Sequence, residues 1–113
     1  LTCTFRNSVG ASGPWPYSNT DIPLNIWVNV CLVRDGATAR FYLNGVADGT
    51  GTRGTGAMVF YQNQPLYLAT DTDGTGFTRG NFFGGNMATM KVYSRALSAE
   101  EILQNYNATK SRF

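Results

Sequence analysis

The sequence predicts an all-β chain, an antiparallel β-sandwich or barrel closed by one short C-terminal α-helix. Three observations carry this. Short apolar stretches are separated by turn pairs such as Asp35-Gly36 and Asn44-Gly45, the pattern of strands joined by tight turns. Glycine occurs 13 times and charged residues make up only 14%, so the polar character comes from uncharged Thr, Asn and Gly. The end of the chain, "VYSRALSAEEILQNYNATKSRF", reads instead as one punctuated helix.

Taken in order, "LTCTFR" (residues 1–6) is a short strand, and residues 7–23 form a turn-rich connection. "LNIWVNVCLVR" (residues 24–34) is apolar on both faces from Ile26 to Val33. A central strand covered on both sides is expected there. Asp35-Gly36 turns the chain into "TARFYLNG", where Ala39, Phe41 and Leu43 face one way and Arg40 and Tyr42 the other. Asn44-Gly45 supplies a second positive-φ turn. Residues 46–57, "VADGTGTRGTGA", read as a low-complexity, mobile loop. "MVFYQ" and "PLYLAT" are two further strands, residues 71–85 a second glycine-rich loop, and "NMATMKVYS" (residues 86–94) the last strand.

The helix has its own signals. Ser98-Ala99-Glu100-Glu101 is a capping box, and Leu97 and Ile102 stand at the spacing of a hydrophobic staple. Glu100 and Glu101 suit the positive end of the helix dipole, and Lys110 and Arg112 lie beyond the negative end. Ile102, Leu103 and Tyr106 make a narrow apolar stripe. A helix of two to three turns cannot hold together alone, so this stripe must dock on the sheets.

Length and charge bound the function. A chain of 113 residues is read as a single domain, residues 1–113. Net charge is +2, with no basic cluster, which argues against a nucleic-acid partner. No apolar run is long enough to insert in a membrane as a helix. Leu1 falls inside an apparent strand, so the chain is expected to belong to a longer product. Cys3 and Cys31 are either bridged or two buried thiols.

Histidine is absent, which removes His-based nucleophile schemes and His-containing metal sites. The remaining catalytic option is a carboxylate pair. The only glutamates, Glu100 and Glu101, are accounted for by the cap. No catalytic residue is therefore expected, and the chain is read as non-enzymatic. Asp71 and Asp73 in "DTDGTGF", with the Thr72 carbonyl, offer hard oxygens for Ca²⁺, the one cofactor considered. The alternative is a solvated Asp-Gly turn. In "SGPWPYSN", Trp15 stands between two prolines and Tyr17 and Asn19 follow. Aromatics on a stiffened backbone can stack on a sugar ring or another subunit, with Asn19 bonding hydroxyls. The alternative is Trp15 folded back over the sandwich edge. Asn107-Ala108-Thr109 is a glycosylation sequon.

Three stretches together resemble a known family: "WVNVCLVRDGATARFYLNG" (residues 27–45), "LYLA" (residues 66–69) and "FFGGNMATMKVYSRALSAEEI" (residues 82–102). They are similar to the laminin-G-like domain, a concanavalin A-like lectin/glucanase jelly roll. That family carries a hairpin with a Trp, an Asp-Gly turn and a Tyr-x-Asn-Gly ending, then Tyr-x-Arg-Ala-Leu-Ser and a short helix. The resemblance implies a jelly-roll sandwich. It also implies further N-terminal strands, placed before Leu1 or supplied by another chain. Where many members have His, this chain has Asn29. The tail "LQNYNATKSRF" is similar to the ends of such domains in tailed-phage structural proteins. The expected function is accordingly a virion surface module, a capsid decoration or tail-associated adhesin. Its expected partners are other subunits of the same assembly, in a homo-oligomer or virion lattice, and a cell-surface glycan. The alternative is a carbohydrate-binding domain of a secreted or cell-surface bacterial protein.

Overall fold

The computed structural model describes residues 16–52, 68–72 and 79–113. The chain divides into two compact units, Leu1–Val59 with Tyr93–Phe113, and Phe60–Val92. The first unit contains an antiparallel meander of β1 (Val30–Asp35), β2 (Thr38–Leu43) and β3 (Val46–Thr52), in the order β1-β2-β3. It also contains α1 (Ala99–Asn107) and a 3₁₀ turn at Lys110–Arg112. In the second unit, β4 (Asp71–Thr72) pairs with β5 (Arg79–Gly80).

Both turns of the meander are two-residue loops at the expected positions. Asp35 pairs with Thr38 across Gly36-Ala37, and Gly36 has φ +58° while Ala37 stays at negative φ. A glycine with positive φ at the first central position is the signature of a II′ turn. Leu43 pairs with Val46 across Asn44 (φ +50°) and Gly45 (φ +80°), the I′ pattern.

The alternation expected in β2 holds. Ala39 and Phe41 are fully buried on one face, and Tyr42 is buried on the other. Opposed residues of an antiparallel pair share a face. Cys31 and Val33 therefore lie beside Tyr42, and this face receives the helix. Val33, Tyr42 and Ile102 form one buried cluster, with Cys31 and Leu97 packed against it.

Three elements differ from expectation. The strand starts at Val30 rather than Leu24, because Asn25 takes a left-handed φ of +61° and breaks the extended run. Nor is it covered on both sides: Val30 and Leu32 are each about two-fifths exposed. Residues 46–52, expected as loop, are strand β3. The I′ turn aims them back along β2, and ladder bonds need no particular side chain. Residues 86–94, expected as a strand, form no ladder among the described residues, and Met87, Met90, Val92 and Tyr93 are exposed. Alternation marks which side chains share a face, but it supplies no pairing partner. The strands expected at residues 1–6 and 58–62 lie outside the described residues, as do residues 65–67 of the strand expected at 65–70.

The helix forms as its caps dictate. Ser98 accepts from the Glu101 backbone N–H (3.3 Å), and the Ser98 backbone N–H donates to Glu101 Oε2 (2.9 Å). Arg95 adds a bidentate pair, Nη1 to Oε2 at 2.8 Å and Nη2 to Oε1 at 2.6 Å. Together the Arg95 guanidinium and then the Ser98 N–H hold the Glu101 carboxyl down at about 2. Glu100 is also lowered, first by its own backbone N–H and then by the Ser98 hydroxyl. Both members of the staple are seated, with Ile102 only 2% exposed. Leu103 and Tyr106 pack on Gly45, so the helix covers the β2–β3 turn as well as the sheet.

Candidate functional site

The surface that contains Tyr17 and Asn19 is built by β3. Where Arg40 pairs with Thr50 and Tyr42 with Ala47, the single residue Phe41 faces two, Asp48 and Gly49. This is a β-bulge, and Gly49 occupies it with φ +134°, which side-chain-bearing residues avoid. Residues 16–20 cross this bulge closely. A Cβ at Gly49 would meet the Tyr17 carbonyl oxygen at 2.7 Å, and one at Gly51 would meet Pro16 Cβ at 2.5 Å. The glycines that made β3 look like a loop are thus where another backbone approaches a strand.

Asp48 holds the crossing segment in place. Its carbonyl accepts from the Asn19 N–H at 2.6 Å. Its carboxylate accepts from the Thr20 N–H at 3.2 Å and from the Thr20 hydroxyl at 2.5 Å. Ser18 Oγ donates to the Thr20 carbonyl at 3.0 Å and tightens the turn. Pro16 is buried beneath, while Tyr17 is 60% exposed and Asn19 is also exposed. A phenol on a short segment pinned at both ends presents flat area with little freedom left to lose.

Beside this ridge lies an open groove of about 300 Å³. Pro23, Val28, Leu43 and Val46 give it an apolar floor, and Asp21, Asn44 and Asp48 line it with polar groups. Asn44 closes one end of the meander: its N–H donates to the Asn29 carbonyl (2.9 Å), and its side-chain oxygen accepts from the Asn29 N–H (2.9 Å).

The structure brings together Tyr17 and Asn19 of the sequence-predicted residues. Trp15 and Asp73 lie outside the described residues. The backbone of Asp71 pairs with Gly80 in the β4–β5 ladder. Among the described residues no three His, Cys, Asp or Glu side chains gather as a metal group. Cys31 carries a free, half-buried thiol whose pKa is raised by desolvation, the character of an unreactive packing residue. Cys3 is outside the described residues. Asn107 of the sequon is exposed at the end of α1, and the Thr109 hydroxyl bonds back to the Asn105 carbonyl at 3.0 Å. Sequence reasoning missed Asp48 and Thr20, which are 28 positions apart. The signal that could have found them is the spacing of Gly49 and Gly51 within a strand.

Comparison with known proteins agrees with this architecture. A laminin-G model described as the concanavalin A-like lectin/glucanases superfamily matches residues 3–103. That superfamily is a jelly-roll β-sandwich, which gives the fold class expected from the sequence, and the meander and the short helix α1 belong to it. No curated protein matches the chain. Among solved structures it is similar to an S-layer domain-containing protein from Clostridium thermocellum, solved over its residues 221–444. Identity is 21% and the TM-score is 0.62, with 93% of this chain and 49% of that one covered. The chain thus spans about half the length of that structure.

Proposed function

We propose that this chain, which belongs to the concanavalin A-like lectin/glucanases superfamily, is a non-enzymatic surface module that works by contact. It recognises a glycan through the ridge of residues 16–20 and docks other subunits of its assembly. The observation that carries this reading is the clamped ridge: Tyr17 stands exposed on a segment that Asp48 pins and Gly49 and Gly51 admit. An aromatic platform flanked by Asn19 suits the two faces of a sugar, its C–H surface and its hydroxyls.

The complete lack of histidine and the engagement of Glu101 by Arg95 support a binding rather than a hydrolytic role. A calcium ion on Asp71 and Asp73 would be an addition to this reading, not its basis. The S-layer protein of similar fold supports a secreted or cell-surface bacterial setting. The phage-like tail at residues 103–113 supports the second setting, the surface of a virion. In both settings the same ridge does the work.

A glycan array on the intact protein tests the reading, with Trp15→Ala and Tyr17→Ala as controls. Binding to a defined glycan set that both substitutions abolish is expected. Failure of the unaltered protein to bind any glycan removes the lectin half of the reading. A polysaccharide turnover assay is expected to stay flat, and release of reducing ends would overturn the non-enzymatic assignment.

A further inference from the structure

The groove beside the ridge carries charge of one sign over an apolar floor. Its described lining contains two carboxylates, Asp21 and Asp48, and neither lysine nor arginine. Lys110 lies over the Tyr106 ring, which packs on Gly45, but Lys110 itself is not among the lining residues. Asp21 is exposed and makes no ion pair among the described residues. Asp48 accepts from Thr20 once at each carboxylate oxygen, and a carboxylate has about four acceptor sites, so each oxygen can accept again. Asn44 accepts from the Asn29 N–H through its side-chain oxygen, which leaves its amide NH2 as a donor. On the floor, Val46 is 66% exposed.

We propose that this groove takes an amine-bearing sugar, a glycan residue with a free protonated amino group, next to the one that meets Tyr17. The inference rests on the glycan-contact reading above and names the sugar class. Thr20 and Asp48 belong both to the clamp and to the groove lining, so ridge and groove are one continuous surface. A volume of about 300 Å³ is at the small end of ligand pockets and suits one ring. Pro23, Val28, Leu43 and Val46 meet the C–H face of that ring, and the Asn44 NH2 donates to one of its oxygens. The ammonium donates to Asp21, and Asp48 adds a second negative charge to the same lining. A charge-assisted hydrogen bond is about twice as strong as a neutral one, so the carboxylates select by charge. An acidic sugar would meet two like charges with no cation in the lining to offset them. The whole chain carries +2, so general attraction favours anions, and a preference for a cationic ligand has to come from this groove. The aromatic ridge and apolar floor favour a rigid ring over a peptide lysine, whose flexible stem loses more freedom on binding.

Titration calorimetry of the intact protein with three tetrasaccharides tests this: β-linked glucosamine, its N-acetylated counterpart, and galacturonate. At about pH 6 the sugar amines are protonated. The glucosamine tetramer is expected to bind ~10-fold tighter than the acetylated one, a charge-assisted bond replacing a neutral one, and galacturonate not measurably. Raising NaCl from about 50 to 500 mM narrows that ratio. Asp21→Asn keeps the shape, removes the charge and brings the ratio to within ~3-fold, whereas Tyr17→Ala weakens both sugars. Circular dichroism of each variant confirms its fold. Failure of the glucosamine tetramer to bind overturns the proposal, as does equal or tighter binding of the acetylated or galacturonate tetramer. So does a ratio that survives Asp21→Asn. Tetralysine bound as tightly as the glucosamine tetramer assigns the groove to a basic peptide and overturns the sugar class. Acetylated-sugar binding that Tyr17→Ala abolishes, without amine preference, overturns this inference alone and leaves the lectin reading standing.

Discussion

Gly45 lies directly against Tyr106. A Cβ on residue 45 would sit 3.1 Å from Tyr106 Cδ1, 3.2 Å from its Cβ and 3.0 Å from Leu103 Cδ1. The residue that makes the I′ turn possible is therefore also the floor on which the C-terminal helix rests. Gly45→Ala is expected to destabilise by about 2–3 kcal/mol, the left-handed backbone strain plus crowding. Gly36→Ala has the same kind of φ but open space around it, and about 1 kcal/mol is expected. Urea denaturation of the two variants measures the difference, and equal losses would mean that the helix does not bear on the turn.

Ile102 is the helix's anchor, 2% exposed, whereas its neighbour Leu103 is 44% exposed. Ile102→Ala is expected to cost about 3 kcal/mol, from lost burial and the cavity left between Val33 and Tyr42. Leu103→Ala should cost under about 1 kcal/mol. A reversed order in thermal or chemical denaturation would place the wrong face of α1 on the sheet.

The clasp of Arg95, Ser98 and Glu101 makes stability depend on pH in a defined window. Glu101 titrates near 2 in the folded chain against an ordinary 4.5. A carboxyl whose folded pKa is depressed contributes stability that is fully present above the unfolded value and is lost as pH falls through the folded one. The difference between the unaltered protein and Glu101→Gln should therefore be constant above about pH 5 and shrink toward pH 2. A difference that stayed constant through that window would show that the carboxylate is not held by Arg95.

Asp48 is expected to govern the order of the ridge. Asp48→Ala removes both carboxylate bonds to Thr20, and a cost of about 1–2 kcal/mol follows for partly exposed hydrogen bonds. Hydrogen exchange should quicken at the amide of Thr20, while the amides of the β1–β2 ladder stay protected. Unchanged exchange at Thr20 would mean that the segment is held by something other than Asp48.

What the sequence made legible follows the range of each interaction. Asp35-Gly36, Asn44-Gly45 and the Ser98–Glu101 box were readable because each is a conformational or hydrogen-bond requirement satisfied within four residues. The alternation of Ala39, Phe41 and Tyr42 was readable because pleating is local. Arg95 stands in the Tyr-x-Arg-Ala-Leu-Ser motif, but its bond to Glu101 was not read because the six-residue reach lies outside the capping motif. β3 was misread because its composition answers to Pro16 and Tyr17, 35 positions away in the case of Gly51 and Pro16, rather than to strand propensity. For the same reason Tyr17 and Asn19 could be singled out, while Asp48, which positions their segment, could not. Residues 86–94 show the converse case, an alternating pattern without a ladder partner among the described residues.

The clamped ridge is the proposed place where this chain meets its ligand. Two-dimensional ¹⁵N NMR of the intact protein, titrated with a glycan identified on the array, tests that most directly. Shifts concentrated at Tyr17, Asn19, Thr20 and Gly49, and abolished by Tyr17→Ala, are the predicted result. Saturable shifts confined to other residues, with this ridge silent, would contradict it.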